Sequence, residues 1–286
     1  MPEITLLSEH ACFGGVQRFY QHQSTAIGLP MRFSVFLPPQ AMSGEPVPAV
    51  MYLAGLTGTE ETFAIKAGAQ QTAAALGLAL IAPDTSPRGA GIVGEADAWD
   101  FGVAASFYLD ASEAPWSARY RMETYLTQEL IALLRNELPI DVARLGIFGH
   151  SMGGHGALTL ALKHPAQFKS LSAFAPICAP MHCPWGQKAF TGYLGSDTST
   201  WAAHDATALM TKQSSAPFAE GILIDQGLAD KFLGAQLHPH LFEAACAAAG
   251  QPLTLRRHAG YDHGYYFIST FINDHLQHHA RVLTRG

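Results

Sequence analysis

The stretch "LGIFGHSMGGHGALTLAL", Leu145–Leu162, constrains the chain more than any other. An apolar run enters a glycine-rich turn, and a second apolar run leaves it with helical spacing. Gly149, His150, Ser151, Met152 and Gly153 fit G-x-S-x-G, a sharp strand-to-helix turn that presents a serine at the top of a sheet. A serine hydroxyl is a poor nucleophile at neutral pH, so a working site needs a base and a carboxylate that orients it. Without those partners the same stretch is only a tight turn around a buried serine.

The surrounding pattern suits such a turn. Strands are expected at 31–38, 49–55, 78–84, 169–177, 221–227 and 252–260. Helices are expected at 67–77, 122–138, 152–165, 238–250 and 265–283. In the last of these, Ile268, Phe271, Ile272 and Leu276 recur on one face. Residues 85–118 and 178–217 read as long irregular segments, the second with one or two helices; loops of such length are usually functional. Strands alternating with helices imply an α/β architecture, a mainly parallel sheet covered on both faces. No linker or internal repeat divides residues 1–286, so one domain is expected.

Composition excludes several alternatives. The formal net charge is −6 and the basic residues are scattered, so neither nucleic acid nor an acidic membrane surface is an expected partner. The longest apolar runs, such as Leu76–Ala82, are far short of the ~18 residues of a membrane helix. The N-terminus carries Glu3 and no basic run, which argues against a secretory leader. Four cysteines, Cys12, Cys178, Cys183 and Cys246, are too few for a disulfide scaffold, and the Cys178–Cys183 spacing is not a common zinc spacing. Free thiols in a reducing cytoplasm, with no metal, are the simplest reading.

Downstream of Ser151 the chain supplies both partners in the order acid, then histidine, expected when each lies in a loop at the carboxyl edge of such a sheet. Asp225 ends the strand "GILID" and could simply cap a turn; Asp230 lies past it, where a loop could carry its carboxylate across. Of fourteen histidines, His263 sits in the glycine-flanked loop "GYDHGYY" after the last strand, where the base is wanted. His258 falls in a strand, His238 and His240 flank a helix start, and His278 and His279 are expected on the solvated side of the last helix. An oxyanion hole would draw one backbone N–H from Met152, at a helix N-terminus. The second would come from the segment "AGLTG", with Leu56 the best-placed donor.

The stretches "YLAGLTGTEETF" (52–63), "APDTSPRG" (82–89), "WDFG" (99–102), "FYLDA" (107–111), "GHSMGGHGAL" (149–158), "SAFAPIC" (172–178), "CPWGQKAFTGYLG" (183–195), "IDQGLADKFL" (224–233) and "DHGYYFISTFINDHLQHHA" (262–280) resemble the S-formylglutathione hydrolase, or esterase D, family over nearly the whole chain. The resemblance implies an α/β-hydrolase fold and hydrolysis of S-formylglutathione to glutathione and formate, a step of formaldehyde detoxification. It also implies side activity on short-chain esters, no cofactor, a cytoplasmic location and, in many members, a homodimer. It maps the triad onto Ser151, Asp230 and His263. Trp185 and Lys188, in the irregular segment, are candidate substrate-wall residues, although Trp185 could equally be a core aromatic. Two departures stand out: Gly58 replaces a cysteine usual in the family, and Ala104 and Ala105 replace a pair that more often contains glycine. A general carboxylesterase or acyltransferase of the same superfamily is the runner-up. A non-catalytic relative acting as a binding protein is the third reading, and it normally lacks members of the triad.

Overall fold

The computed structural model describes residues 4–284, so Glu3 of the N-terminal reading lies outside it. Nine strands form one sheet. In chain order β1 (Thr5–Cys12), β2 (Gly15–Gln23) and β3 (Pro30–Leu37) precede β4 (Val47–Leu53). Two short helices, α1 (Glu60–Lys66) and α2 (Gln70–Leu76), lead to β5 (Ala79–Pro83). After a long irregular segment, α3 (Met122–Thr124) passes through a single π turn (Tyr125–Glu129) into α4 (Leu130–Glu137). Then come β6 (Ile140–His150), α5 (Met152–Lys163), β7 (Phe168–Phe174), α6 (Pro184–Leu194), α7 (Ala206–Thr211), β8 (Ile222–Gly227), α8 (Pro239–Ala249), β9 (Leu253–His258) and α9 (Tyr265–Leu283).

The order across the sheet is β1-β2-β3-β5-β4-β6-β7-β8-β9. From β5 to β9 every pair is parallel, while β1, β2, β3 and β5 pair antiparallel. All seven residues of β4 are buried, as a strand covered by helices on both faces requires. The register aligns Leu53 with Gly149, His150 with Phe174, and Gly227 with His258. The carboxyl ends of β4, β6, β8 and β9 therefore open on the same edge. This is the edge at which open α/β sheets bind ligands.

The strands expected from sequence are present within a few residues of their ends; the antiparallel edge and α1 were not foreseen. β1 is mostly exposed along its length and lacks a buried-strand pattern. Its hairpin with β2 turns at Phe13 and Gly14, both at positive φ, the type I′ geometry usually signalled by Asn-Gly or Asp-Gly. Helix α1 is short and starts from a capping box between Thr59 and Thr62.

One expectation is overturned. His278 and His279 are not solvated: α9 presses them against the sheet. His278 Nε2 donates to the Leu171 carbonyl at 3.1 Å, and His279 lies between Ser170 and Ser172 at 2.6 and 2.9 Å. The last helix wraps the sheet more completely than its polar sequence suggests, and buried hydroxyls on β7 supply the partners a buried imidazole needs. Desolvation pushes His278 down to about 4 and His279 well below the ordinary histidine value. It also lowers His155 to about 3 and His204 to about 4. These rings are neutral in the folded protein and ready to take protons once unfolded. Their contribution is fully present above about pH 6.5 and is lost as the pH falls toward their folded values. The unfolding free energy from urea melts should drop steadily between pH 7 and pH 4.5, by on the order of 3 kcal/mol for a single ring shifted like His278, and the midpoint with it. His278→Gln should flatten that slope; a midpoint that rises on acidification would contradict the assignment.

Candidate active site

Strand β6 ends at His150, and the chain turns so sharply at Ser151 that its φ is 57° and its ψ −118°. A non-glycine residue held there is strained, and such strain persists only where the surroundings fix it. Here the Ser151 N–H donates to the Phe174 carbonyl at 3.0 Å, and its carbonyl accepts from the His155 N–H at 2.9 Å. The flanking glycines make room for the turn. A Cβ on Gly149 would lie 2.2 Å from the Gly153 carbonyl oxygen, and one on Gly153 would lie 1.9 Å from that of Leu53. The serine thus heads α5, where free N–H groups and the helix dipole favour negative charge.

The loop after β8 carries Asp230 and the loop after β9 carries His263. Their side chains meet, His263 Nδ1 donating to Asp230 Oδ2 at 2.5 Å. Asp230 is nearly buried. Its Oδ1 accepts from the Phe232 N–H at 2.8 Å, and Gln226 Nε2 donates to Oδ2 at 3.3 Å. With Nδ1 protonated, Nε2 of His263 holds the lone pair that a general base needs. The His263 ring packs 4.4 Å, centroid to centroid, from His150, the residue before the elbow serine.

Asp225 is occupied elsewhere and is not a turn cap. Arg256 grips it with Nε at 2.6 Å and Nη2 at 2.5 Å, and His275 Nε2 reaches it at 3.2 Å. Burial would raise its pKa, but the hydrogen bonds from His275 and Arg256 outweigh that and hold the carboxyl well below its ordinary range. A second Asp-His-Ser chain results, since His275 Nδ1 lies 2.8 Å from Ser172 Oγ. Both His275 and Ser172 are completely buried, so no substrate reaches them.

The segment 54–58 lies against the elbow: a Cβ on Gly55 would be 3.2 Å from the Ser151 Cβ. Among the described residues, the N–H groups of Leu56 and Met152 are left out of the backbone hydrogen bonding of the surrounding turns. Trp185 is nearly buried, with its ring between Trp99 (5.5 Å) and Phe232 (4.7 Å). Phe232 in turn stands edge-on to His263 at 5.0 Å. Trp185 is therefore both packed and part of an aromatic wall that starts at the histidine. Lys188 is tied to Asp100 by an ion pair. Trp99, Phe232 and Lys231, whose Nζ sits 4.9 Å from the Phe232 ring centroid, were missed. The only sequence signal for the last two is their position directly after Asp230. Among the described residues, no group of three or more His, Cys, Asp or Glu side chains could hold a metal ion, and no helix is long and apolar enough to cross a membrane.

Comparison with known proteins follows the same lines. The esterase family model, described as putative esterase, matches residues 24–278. An S-formylglutathione hydrolase of Rattus norvegicus is 53% identical over 98% of this chain and 99% of its own. The enzyme of that name from Arabidopsis thaliana is 50% identical over 95% of each chain. The solved structure of an S-formylglutathione hydrolase from Agrobacterium tumefaciens superposes with a TM-score of 0.92 at 47% identity, covering 97% of this chain and 99% of that one. The fold is that of the α/β-hydrolases.

The two aspartates separate by experiment. Asp230→Asn should lower kcat by roughly 10⁴ with little loss of stability, because His263 loses its orienting acceptor. Asp225→Asn should cost on the order of 3 kcal/mol of stability, because it breaks the buried fork to Arg256, which keeps only Asp274 as a partner, and weakens the bond from His275, and should spare kcat at temperatures where the protein stays folded. Steady-state kinetics and urea melts of both variants check this; a larger kcat loss for Asp225→Asn would reverse the roles.

Proposed function

The chain belongs to the S-formylglutathione hydrolase family of esterases, and from that premise we propose that it hydrolyses S-formylglutathione with Ser151 as nucleophile, His263 as base and Asp230 as the orienting carboxylate. The observation that carries the residue roles is the Asp230–His263 hydrogen bond beside a strained elbow serine. Ser151 Oγ attacks the formyl carbon while His263 Nε2 takes the hydroxyl proton. The negative charge that develops on the carbonyl oxygen is met by the Leu56 and Met152 N–H groups. The intermediate collapses, the C–S bond breaks, and His263 returns its proton to the departing glutathione sulfur. Water then attacks the formyl ester of Ser151, with His263 again taking and returning a proton. Formate leaves and the serine is regenerated. No cofactor enters any step.

The aromatic wall of Phe232, Trp185 and Trp99 gives the glutathione portion an apolar surface leading outward from His263. Lys231, exposed beside it, complements the peptide's carboxylates. Buried Met152, Phe107 and Trp185 are the large residues available to close the acyl side. A formyl group is the smallest acyl group, so a pocket fitted to it has little spare room. An added methylene gains about 0.8 kcal/mol where there is space and costs ~1–3 kcal/mol where it forces side chains off their rotamers. Short-chain esters are therefore side substrates. The free cysteines suit a reducing cytoplasm, where a formylated thiol would arise from oxidation of a formaldehyde–thiol adduct.

The test is steady-state kinetics on S-formylglutathione for the wild type and Ser151→Ala. The variant should fold normally and lose on the order of 10⁴-fold or more in kcat; retention of a tenth of the activity would remove Ser151 from its role. In a p-nitrophenyl ester series, kcat/KM should peak at about two acyl carbons and fall by butyrate to hexanoate, tenfold for every ~1.4 kcal/mol of strain. A maximum at hexanoate would favour a general carboxylesterase.

A further inference from the structure

We infer that Arg88 is a positioning residue for the oxyanion loop, acting through the Gly58 carbonyl. The inference rests on the reading of Leu56 N–H as an oxyanion donor. Residues 55–58 close a tight turn, with the Gly58 N–H donating to the Gly55 carbonyl at 3.1 Å. Thr57 occupies its third position with φ at 69°, a place normally taken by glycine. A β-branched residue is strained there and stays only if its neighbours hold it.

Three anchors do so. Tyr108 Oη donates to the Ala54 carbonyl at 2.8 Å. The Thr57 N–H donates to the Ala104 carbonyl at 3.1 Å. The Gly58 carbonyl accepts from Thr85 Oγ1 at 2.7 Å and from Arg88 Nη2 at 3.0 Å. The Leu56 amide lies between the first anchor and the other two. Arg88 is itself fixed: Nη2 and Nε grip Asp84 at 2.7 and 3.0 Å, and Asp84 also accepts the Thr85 N–H at 2.7 Å. One guanidinium thus spans a buried carboxylate and the loop carbonyl with donors in a fixed plane. A lysine ammonium cannot reproduce that geometry. Nor has the loop slack to absorb a change, since a Cβ on Gly58 would lie 2.7 Å from the Ala54 Cβ and 3.0 Å from the Gly55 oxygen.

Arg88 lines a solvent-open cleft of about 490 Å³, together with Gln21, Arg32, Glu60 and Asp84 among others and without Ser151. A small cation can therefore reach the position of the side chain when it is removed.

The experiment compares Arg88→Ala, Arg88→Lys, Thr85→Val and Thr85→Ser. Removing an oxyanion donor outright costs ~10²–10³ in kcat, so misaligning one through Arg88→Ala should cost about 10–100-fold. KM for S-formylglutathione should stay nearly constant. Affinity for a boronic acid, whose tetrahedral adduct places an anionic oxygen in the hole, should fall by the same factor as kcat. Guanidinium chloride should restore part of the lost kcat in Arg88→Ala and none in Arg88→Lys. Thr85→Val, which removes a single bond to the carbonyl, should show a smaller loss of the same kind, and Thr85→Ser should recover it; this pair decides the matter if Arg88→Ala does not fold. Wild-type kcat in Arg88→Ala, or a kcat loss with boronate affinity intact, overturns the inference. If Ser151→Ala is inactive in the same assay, only the role of Arg88 falls; if Ser151→Ala is active, the reading beneath it falls instead.

Discussion

The contact on which the site depends is between backbones. The first turn of α5 lies so close to the end of β4 that a Cβ on Gly153 would come within 1.9 Å of the Leu53 carbonyl oxygen. β4 and β6 are sheet neighbours, with Leu53 opposite Gly149. The elbow and the segment that begins at Ala54 therefore start from the same spot. This closeness brings the segment after β4 and the first turn of α5 together at one serine. A side chain at 153 would push the helix off the sheet and separate the two segments before it touched any substrate. The glycine is required by packing, and catalysis inherits the geometry that packing permits.

The parallel half of the fold and the candidate site were legible for the same physical reason. Buried strands with helices on both faces are apolar throughout, and their loops emerge at one edge in a fixed chain order. Ser151 and His263 could be picked from that order without knowing any distance, and the acid could be narrowed to Asp225 or Asp230. The antiparallel edge was not legible: β1 buries little, and its turn uses Phe13 and Gly14 rather than the usual pair. His278 and His279 misled because histidines on a polar terminal helix look solvated. Their partners, Ser170, Ser172 and the Leu171 carbonyl, lie about a hundred residues away. Asp225 could not be told from Asp230 by position; Arg256 and His275 distinguish them only in space.

Two Asp-His-Ser chains in one molecule show what the pattern alone is worth. From Asp225 the hydrogen bonds run one way: His275 donates to the carboxylate, Ser172 to His275, His279 to Ser172, and Ser170 to His279. Neutral imidazoles fit that direction, and desolvation lowers the pKa of both rings. Every donor in the chain has an acceptor, so it holds α9 to β7 and leaves nothing over for a substrate. Asp225 also carries the Arg256 fork. A carboxylate so heavily bonded to a fixed cation offers little extra stabilisation to an imidazolium beside it.

Asp230 is used differently. Its neighbours are the neutral Phe232 N–H and Gln226 amide, which orient the carboxylate without cancelling its charge. His263, only partly buried, thus faces an uncancelled carboxylate 2.5 Å away. The serine it would serve sits at strained dihedrals at the head of a helix, while Ser172 lies in the middle of β7 with its hydroxyl already committed to two rings. Between the two chains the residue types are the same. What separates a site from a brace is which groups keep an unspent charge, lone pair or N–H facing a space that a substrate can enter.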